Sequence, residues 1–289
     1  MKVLILGAKG MLGGMLQKVL NDWDVAPWDK EELNITNEAE VRQKVIELRP
    51  NVVVNAAAYT NVDGAEDSAN QEVCLTVNGN AVRYLASVAK ELDIPLVHYS
   101  TDYVFPGDKK TGYAEDDAPG PAVNYYGQSK LAGERALKEV GGRFYLLRTA
   151  WLYGPGGKNF VDTMLKLGKE RSSPSTSSGL PALQVVDDQH GSPTFTKDVA
   201  GATRAVLENR EKYPPGIYHA VNFGETTWYD FAKKIFETAG ISVDVQPTTS
   251  DKFVRPAKRP KYSILQNTRG PKLRHWQDAL QEYLTSATM

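Results

Sequence analysis

The sequence of 289 residues predicts an α/β fold: a Rossmann-type, doubly wound parallel sheet with a smaller C-terminal lobe. Two observations carry this. Short β-branched runs alternate with segments of helical period through residue 150, and the first such run leads into a glycine-rich turn and a helix. Past Trp151 the alternation loosens and Pro and Gly punctuate shorter pieces. Residues 1–150 therefore read as one unit, and 151–289 as a lobe interleaved with the sheet rather than an independent domain.

The elements follow in order. Lys2 to Leu6 is a strand, Gly7-Ala8-Lys9-Gly10-Met11-Leu12-Gly13 a turn, and Met11, Leu12, Met15, Leu16, Val19 and Leu20 share one helix face. Three glycines at this spacing suit a dinucleotide: a tight turn, close backbone approach to a pyrophosphate, and close packing of helix on strand. The phosphates would meet the positive helix end. A second strand around Asp24 to Trp28 ends at Asp29, where such folds place a carboxylate on the adenosine ribose, which favours NAD; Lys30 beside it leaves NADP open. Asn34-Ile35-Thr36-Asn37 precedes a helix from Glu38 to Leu48, with Asn37 or Thr36 as its N-cap.

Asn51 to Asn55 is a buried-type strand running into Ala56, Ala57 and Ala58, small residues that admit another element or a flat ligand. Helix is expected from Asn70 to Leu92 and a fourth strand from Pro95 to Ser100. Thr101, Asp102 and Tyr103 then fall at a strand end, where open parallel sheets bind ligands. A helix carrying Tyr126 and Lys130 four residues apart precedes a fifth strand, Phe144 to Thr149. Later come helices at Asn159–Lys169, Thr196–Leu207, Trp228–Ala239 and His275–Leu284, and strands at Leu183–Val186 and Ile217–Val221. The Ser172 to Gly179 stretch is low in complexity and reads as a surface loop.

Bulk properties narrow the classes. A formal net charge of −1 gives no electrostatic case for nucleic acid or an anionic membrane, and no apolar run reaches membrane-spanning length. A single cysteine, Cys74, fits a reducing, cytoplasmic compartment, and four dispersed histidines lack zinc-ligand spacing. Glycine turn, acid, strand-end hydroxyl and Tyr-x-x-x-Lys occur in the chain order a nicotinamide-dependent carbonyl reductase needs. Tyr126 would be the general acid, Lys130 would lower its pKa, and Thr101 would bond the same oxygen.

At these residues the chain resembles the extended short-chain dehydrogenase/reductases and, within them, the dTDP-4-dehydrorhamnose reductase family. The shared motifs are Asn55-Ala-Ala-Ala-Tyr-Thr-Asn-Val-Asp63, Ser100-Thr-Asp-Tyr-Val-Phe105, Asn124-x-Tyr126-Gly127-x-x-Lys130, Arg148-Thr-x-Trp151, Asp188-Gln-x-Gly-Ser-Pro-Thr194 and Arg259-Pro-x-x-Ser263. The resemblance implies NADPH or NADH reducing the C4 keto group of a dTDP-linked 6-deoxyhexose, with Thr101, Tyr126 and Lys130 catalytic. It implies cofactor contacts from Gly7, Lys9, Gly10, Met11, Leu12, Gly13 and Asp29. Asn34, Ile35, Ala56, Ala57, Ala58, Tyr126 and Lys130 complete that set. Asp102, Tyr103, Trp151, Asn159 and Arg259 would reach the sugar nucleotide, although Trp151 also suits a core aromatic. Relatives that bind Mg²⁺ between subunits use a glutamate in the first helix; Met15 lies in that region, so no metal is expected, although Asp187 and Asp188 remain, and a homodimer is compatible. Two other readings share the resemblance: a catalytically idle subunit like the beta regulatory subunit of methionine adenosyltransferase, and a reductase or epimerase of another nucleotide sugar.

Overall fold

The computed structural model describes residues 1–172 and 181–287. The strands are β1 (Lys2–Leu6), β2 (Asp24–Trp28), β3 (Val52–Asn55), β4 (Leu96–Thr101), β5 (Phe144–Thr149), β6 (Leu152–Tyr153), β7 (Leu183–Val186), β8 (His190–Gly191), β9 (Thr194–Phe195), β10 (Gly216–His219), β11 (Thr226–Thr227) and β12 (Val245–Thr248). The helices are α1 (Met11–Val19), α2 (Glu38–Leu48), α3 (Ser68–Leu75), α4 (Ala81–Glu91), α5 (Tyr125–Val140), α6 (Phe160–Ser172), α7 (Thr196–Glu208), α8 (Trp228–Ala239) and α9 (Trp276–Ala287). The expected serine-rich loop lies, from residue 173, outside the described residues.

Six strands form one all-parallel sheet in the order β10-β5-β4-β3-β1-β2. Such a sheet is buried on both faces, which is why β3 opens on three valines and nearly every residue of β3, β4 and β5 is buried, the polar ones included. One face packs Val3, Ile5, Val54, Val97, Tyr99 and Leu147 under α1 and α7; the other packs Leu4, Leu6, Val53, Leu96 and Leu146 under α4 and α5. The strand order reverses between β1 and β3, and the crevice beyond their carboxyl ends is where this topology binds ligands.

The chain returns to this sheet late. β10, from beyond residue 200, forms its edge beside β5, and α7 packs on α1. The expected single helix over 70–92 is α3 and α4 joined by a π-turn at Thr76–Asn80, a form that recurs where a helix is remodelled at functional sites. β12, not foreseen, pairs in parallel with β7. Asn37 caps α2, its side chain accepting from Glu40 N at 3.2 Å. No helix among the described residues is long and apolar enough to cross a membrane.

Arg148 on β5 has no exposed surface and grips Glu134 of α5 with two hydrogen bonds, at 2.9 and 2.7 Å. Its guanidinium also lies 4.9 Å from the centre of the Phe105 ring. Removing one partner of such a buried pair strands the other charge, at a cost of about 3–5 kcal/mol. Glu134→Ala should lower stability in urea unfolding by that order, whereas a surface pair such as Arg83–Glu139 should shift it by about 1 kcal/mol or less.

Candidate functional site

The cradle at the end of β1 is built by close approach. Gly7 has φ +75°, and a Cβ there would lie 2.6 Å from Ala57 N. A Cβ on Gly13 would lie 2.1 Å from Gly7 O. Only glycine lets the first turn, the β3 turn and α1 meet in this way. α1 starts at Gly10 without a side-chain cap and with no acid in its first turn, which leaves its first amides for an anion. These features fit a dinucleotide pyrophosphate.

The tip of β2 borders the same crevice. Asp29 Oδ2 accepts from Lys9 N at 3.0 Å and Oδ1 from Lys30 N at 2.9 Å. Burial works against its ionisation, but these amides and the two lysine charges outweigh it and hold the carboxyl below the usual range. Lys9 Nζ pairs with Glu31 at 2.9 Å. Asn34 is turned inward on its own turn, its Oδ1 accepting from Thr36 N and Oγ1, and Ile35 packs against the core under α2.

Thr101 ends β4, and α5 begins opposite it. Asn124 caps α5 by accepting from Gly127 N at 2.8 Å, while Glu66 Oε1 accepts from Tyr125 N at 2.8 Å. This fixes Tyr126 in the first turn, with Tyr103 edge-on to its ring at a centroid distance of 5.9 Å. Behind it, Ser129 Oγ donates to Tyr126 O and accepts from Asn78 Nδ2 of the π-turn at 2.9 Å. Thr101 Oγ1 donates to the buried Asp102 Oδ1 at 2.7 Å.

The protonation states correct one expectation. Lys130 was expected to pull the Tyr126 pKa down. Burial instead pushes the phenol above its ordinary value, the Asp102 carboxylate adds to this, and Thr101 offsets only part. The Lys130 ammonium donates to the Tyr99 carbonyl at 2.6 Å, and burial lowers its pKa to about 8. At neutral pH Tyr126 therefore holds its proton, the state a general acid requires.

The remaining expected residues divide. Trp151 leaves β5 at φ +45°, a strained conformation for a non-glycine residue, and its indole stacks on Trp228 of α8 at 3.6 Å. Arg259 reaches the site's rim, but both terminal nitrogens of its guanidinium bind Asp63, at 2.9 and 3.0 Å, where Ala257 N also donates. Asn159 is engaged within its own turn, where its side chain donates to Gly154 O, Gly157 O and Asp162 and accepts from Asp162 N, capping α6. Asp187 and Asp188 accept from Thr227 and Ser250, and among the described residues no group of three or more His, Cys, Asp or Glu could hold a metal ion.

A family model described as "RmlD substrate binding domain" matches residues 1–289. A dTDP-4-dehydrorhamnose reductase of Streptomyces griseus is 43% identical over 290 residues, covering 96% of this chain and 91% of that protein. The chain belongs to the dTDP-4-dehydrorhamnose reductase family. Among solved structures, a dTDP-4-dehydrorhamnose reductase from Bacillus anthracis in complex with NADP superimposes with a TM-score of 0.90 at 39% identity, covering 99% of each chain. A probable dTDP-4,6-dihydroxy-2-methyloxan-3-one 4-ketoreductase of Streptomyces antibioticus is 42% identical over 98% of this chain and 94% of its own length.

For this family member, residue-by-residue reading missed three groups in contact with the site: Asn55, His98 and Asn78. Asn55 and His98 are polar residues in otherwise buried strands, and that mismatch was the available signal; Asn78, in the polar π-turn, offered none.

Asp102 yields a pH prediction. Burial pushes its carboxyl up to about 6, whereas in the unfolded chain it titrates near ~3.9. Below ~3.9 both states hold the proton. As pH rises through this window the unfolded chain releases it first, so wild-type stability falls. Asp102→Asn removes the titration and should gain stability relative to wild type between pH 4 and 7, by up to roughly 3 kcal/mol. A difference that stays flat in urea unfolding across that range would count against the assignment.

Proposed function

We propose that this chain is the NAD(P)H-dependent reductase that converts the C4 ketone of dTDP-4-dehydro-L-rhamnose to the alcohol of dTDP-L-rhamnose. The observation that carries the reading is the place of Tyr126 in the first turn of α5, beside Thr101 at the carboxyl end of β4 and one helical turn from Lys130, in a chain of this family. The cofactor would lie on Gly7, Gly10 and Gly13, over Ala56 and Ala57, with Asp29 at its adenosine ribose. When bound, the nicotinamide supplies the hydride to C4.

The chain's own residues handle the proton. Tyr126 donates its phenolic proton to O4 as the carbonyl becomes an alcohol, and regains one from solvent before the next turnover. Thr101, whose hydroxyl proton is held by Asp102, reaches O4 by hydroxyl rotation. Tyr103 and Trp151 would bound the sugar, and Arg259 the diphosphate, in exchange for Asp63. The acids Asp29, Glu31 and Glu32 beside the ribose site favour a free 2′-hydroxyl over a phosphate. A cytoplasmic homodimer belongs to the same reading, supported for its compartment by the single cysteine. The Streptomyces antibioticus relative favours a second reading, a 4-ketoreductase of another dTDP sugar.

Incubation with dTDP-4-dehydro-L-rhamnose should oxidise NADPH or NADH, followed by absorbance. No oxidation with either cofactor would sink the reductase reading, and faster turnover of another dTDP-4-keto sugar would favour the second. Tyr126→Phe should lose ~10²–10⁴ in kcat with cofactor affinity nearly unchanged. Asp29→Ala should weaken NADH binding more than NADPH binding by fluorescence titration; equal losses would remove the ribose assignment.

A further inference from the structure

Lys130, His98 and Asn55 are all nearly inaccessible to solvent. Lys130 Nζ donates to the Tyr99 carbonyl of β4 and lies 3.5 Å from His98 Nε2. On the other side of the imidazole, Nδ1 lies 3.2 Å from Asn55 Nδ2 at the end of β3. The orientation of the Asn55 amide is fixed independently, because its Oδ1 accepts from Ala57 N at 3.2 Å. The NH₂ end therefore faces the ring, and Nδ1 must accept. Burial, reinforced by the Lys130 charge, holds the His98 pKa well below its ordinary value, so the ring is neutral and its one proton sits on Nε2. That N–H points at the lysine nitrogen. An ammonium has three donors and no acceptor, whereas the free amine has a lone pair to receive it.

We infer that Asn55 and His98 form a tautomer lock whose Nε2–H faces Lys130 and biases it towards the free amine, making His98 a positioning residue of the catalytic helix. The lock joins Lys130 to the Ala56–Ala57 turn on which the Gly7 loop is packed, so the charge on the lysine is tied to the geometry of the cofactor cradle. Few other groups oppose the bias. Tyr99 O of β4 favours the ammonium, as does Glu134 on α5, whose carboxylate is shared with Arg148; Cys74 on α3 is a thiol that burial keeps protonated. The inference rests on the reductase reading for the role of Lys130 in turnover, and not for the tautomer.

Long-range ¹H–¹⁵N NMR of the labelled full chain reads the tautomer directly, and His98→Gln identifies the resonance among four histidines. The expected result is a ring protonated at Nε2 and bare at Nδ1 from pH 6 to 9; a ring protonated at Nδ1, or an imidazolium, overturns the lock. Asn55→Asp, which puts an acceptor where the donor was, should move the proton to Nδ1. The coupling is read from the ¹³Cε titration of Lys130, assigned with Lys130→Met. His98→Gln, which offers the amine a carbonyl, should raise the midpoint by about one pH unit, a tenfold change in proton affinity. A purely structural role for His98 would lower the unfolding midpoint without moving that titration, and an unmoved titration overturns the coupling. Wild-type protein inactive with both cofactors, yet showing the Nε2 tautomer, would sink the reductase reading alone.

Discussion

The buried Arg148–Glu134 pair sets the geometry on which the site depends. Arg148 lies between Ser100 of β4 and His219 of β10 in the sheet register, so one side chain reports on three adjacent strands. Glu134 lies one turn beyond Lys130 and two beyond Tyr126. Two hydrogen bonds to a rigid guanidinium leave α5 little freedom to roll, and any roll would carry the phenol out of reach of Thr101. A buried ion pair adds little net stability over a hydrophobic contact of equal volume; its effect here is to specify one orientation of a helix. The network continues outward. Burial lowers the His219 pKa to about 4, Arg148 lies 3.5 Å from its Nε2, and its Nδ1–H donates to Gln266 O at 3.0 Å. Glu115 binds Thr268 and His219 N, closing the C-terminal segment against the sheet edge.

The site is assembled from strand ends and capped helix starts, each fixed by a local rule. Gly7 and Gly13 remove side chains where three backbones converge. Asn124 and Glu66 satisfy the α5 amides and so place Tyr126. Burial then does the electrostatic work, keeping a proton on Tyr126 and weakening the hold of Lys130 on its own. Both effects come from the same low-dielectric surroundings acting on an acid whose charged form is anionic and a base whose charged form is cationic.

Much of this was legible in the sequence because parallel strands buried on both faces leave continuous β-branched runs, and β7 and α8 carry the expected bounds. The family motifs fixed which residues meet at the carboxyl ends. Other features had no period to read. β6, β8, β9 and β11 are two residues long, and β12 contains a proline and a single buried residue, so neither alternation nor apolarity marks them. Asn159 shows why a polar residue beside a predicted pocket is ambiguous: the same type of amide can meet a ligand or, as its bonds to Gly154 O and Asp162 show here, cap a helix. The Lys130–Tyr126 spacing placed two groups on one face but carried no information on dielectric, which reversed the expected direction of the phenol shift.

The late return of the chain to the sheet bears on how the molecule is made. β10 cannot form its edge until residue 219 exists, and the partner of Asp63 is residue 259. A nascent chain that has emerged only as far as β5 has Tyr126 and Lys130 but lacks β10 on one flank and α7 on another, leaving Tyr145, Leu147 and the outer face of α1 bare. Such a species exposes apolar surface in proportion to what is still missing, the condition under which nascent chains associate or recruit chaperones. Completion of the sheet edge and of the Asp63–Arg259 pair is thus coupled to the last third of synthesis.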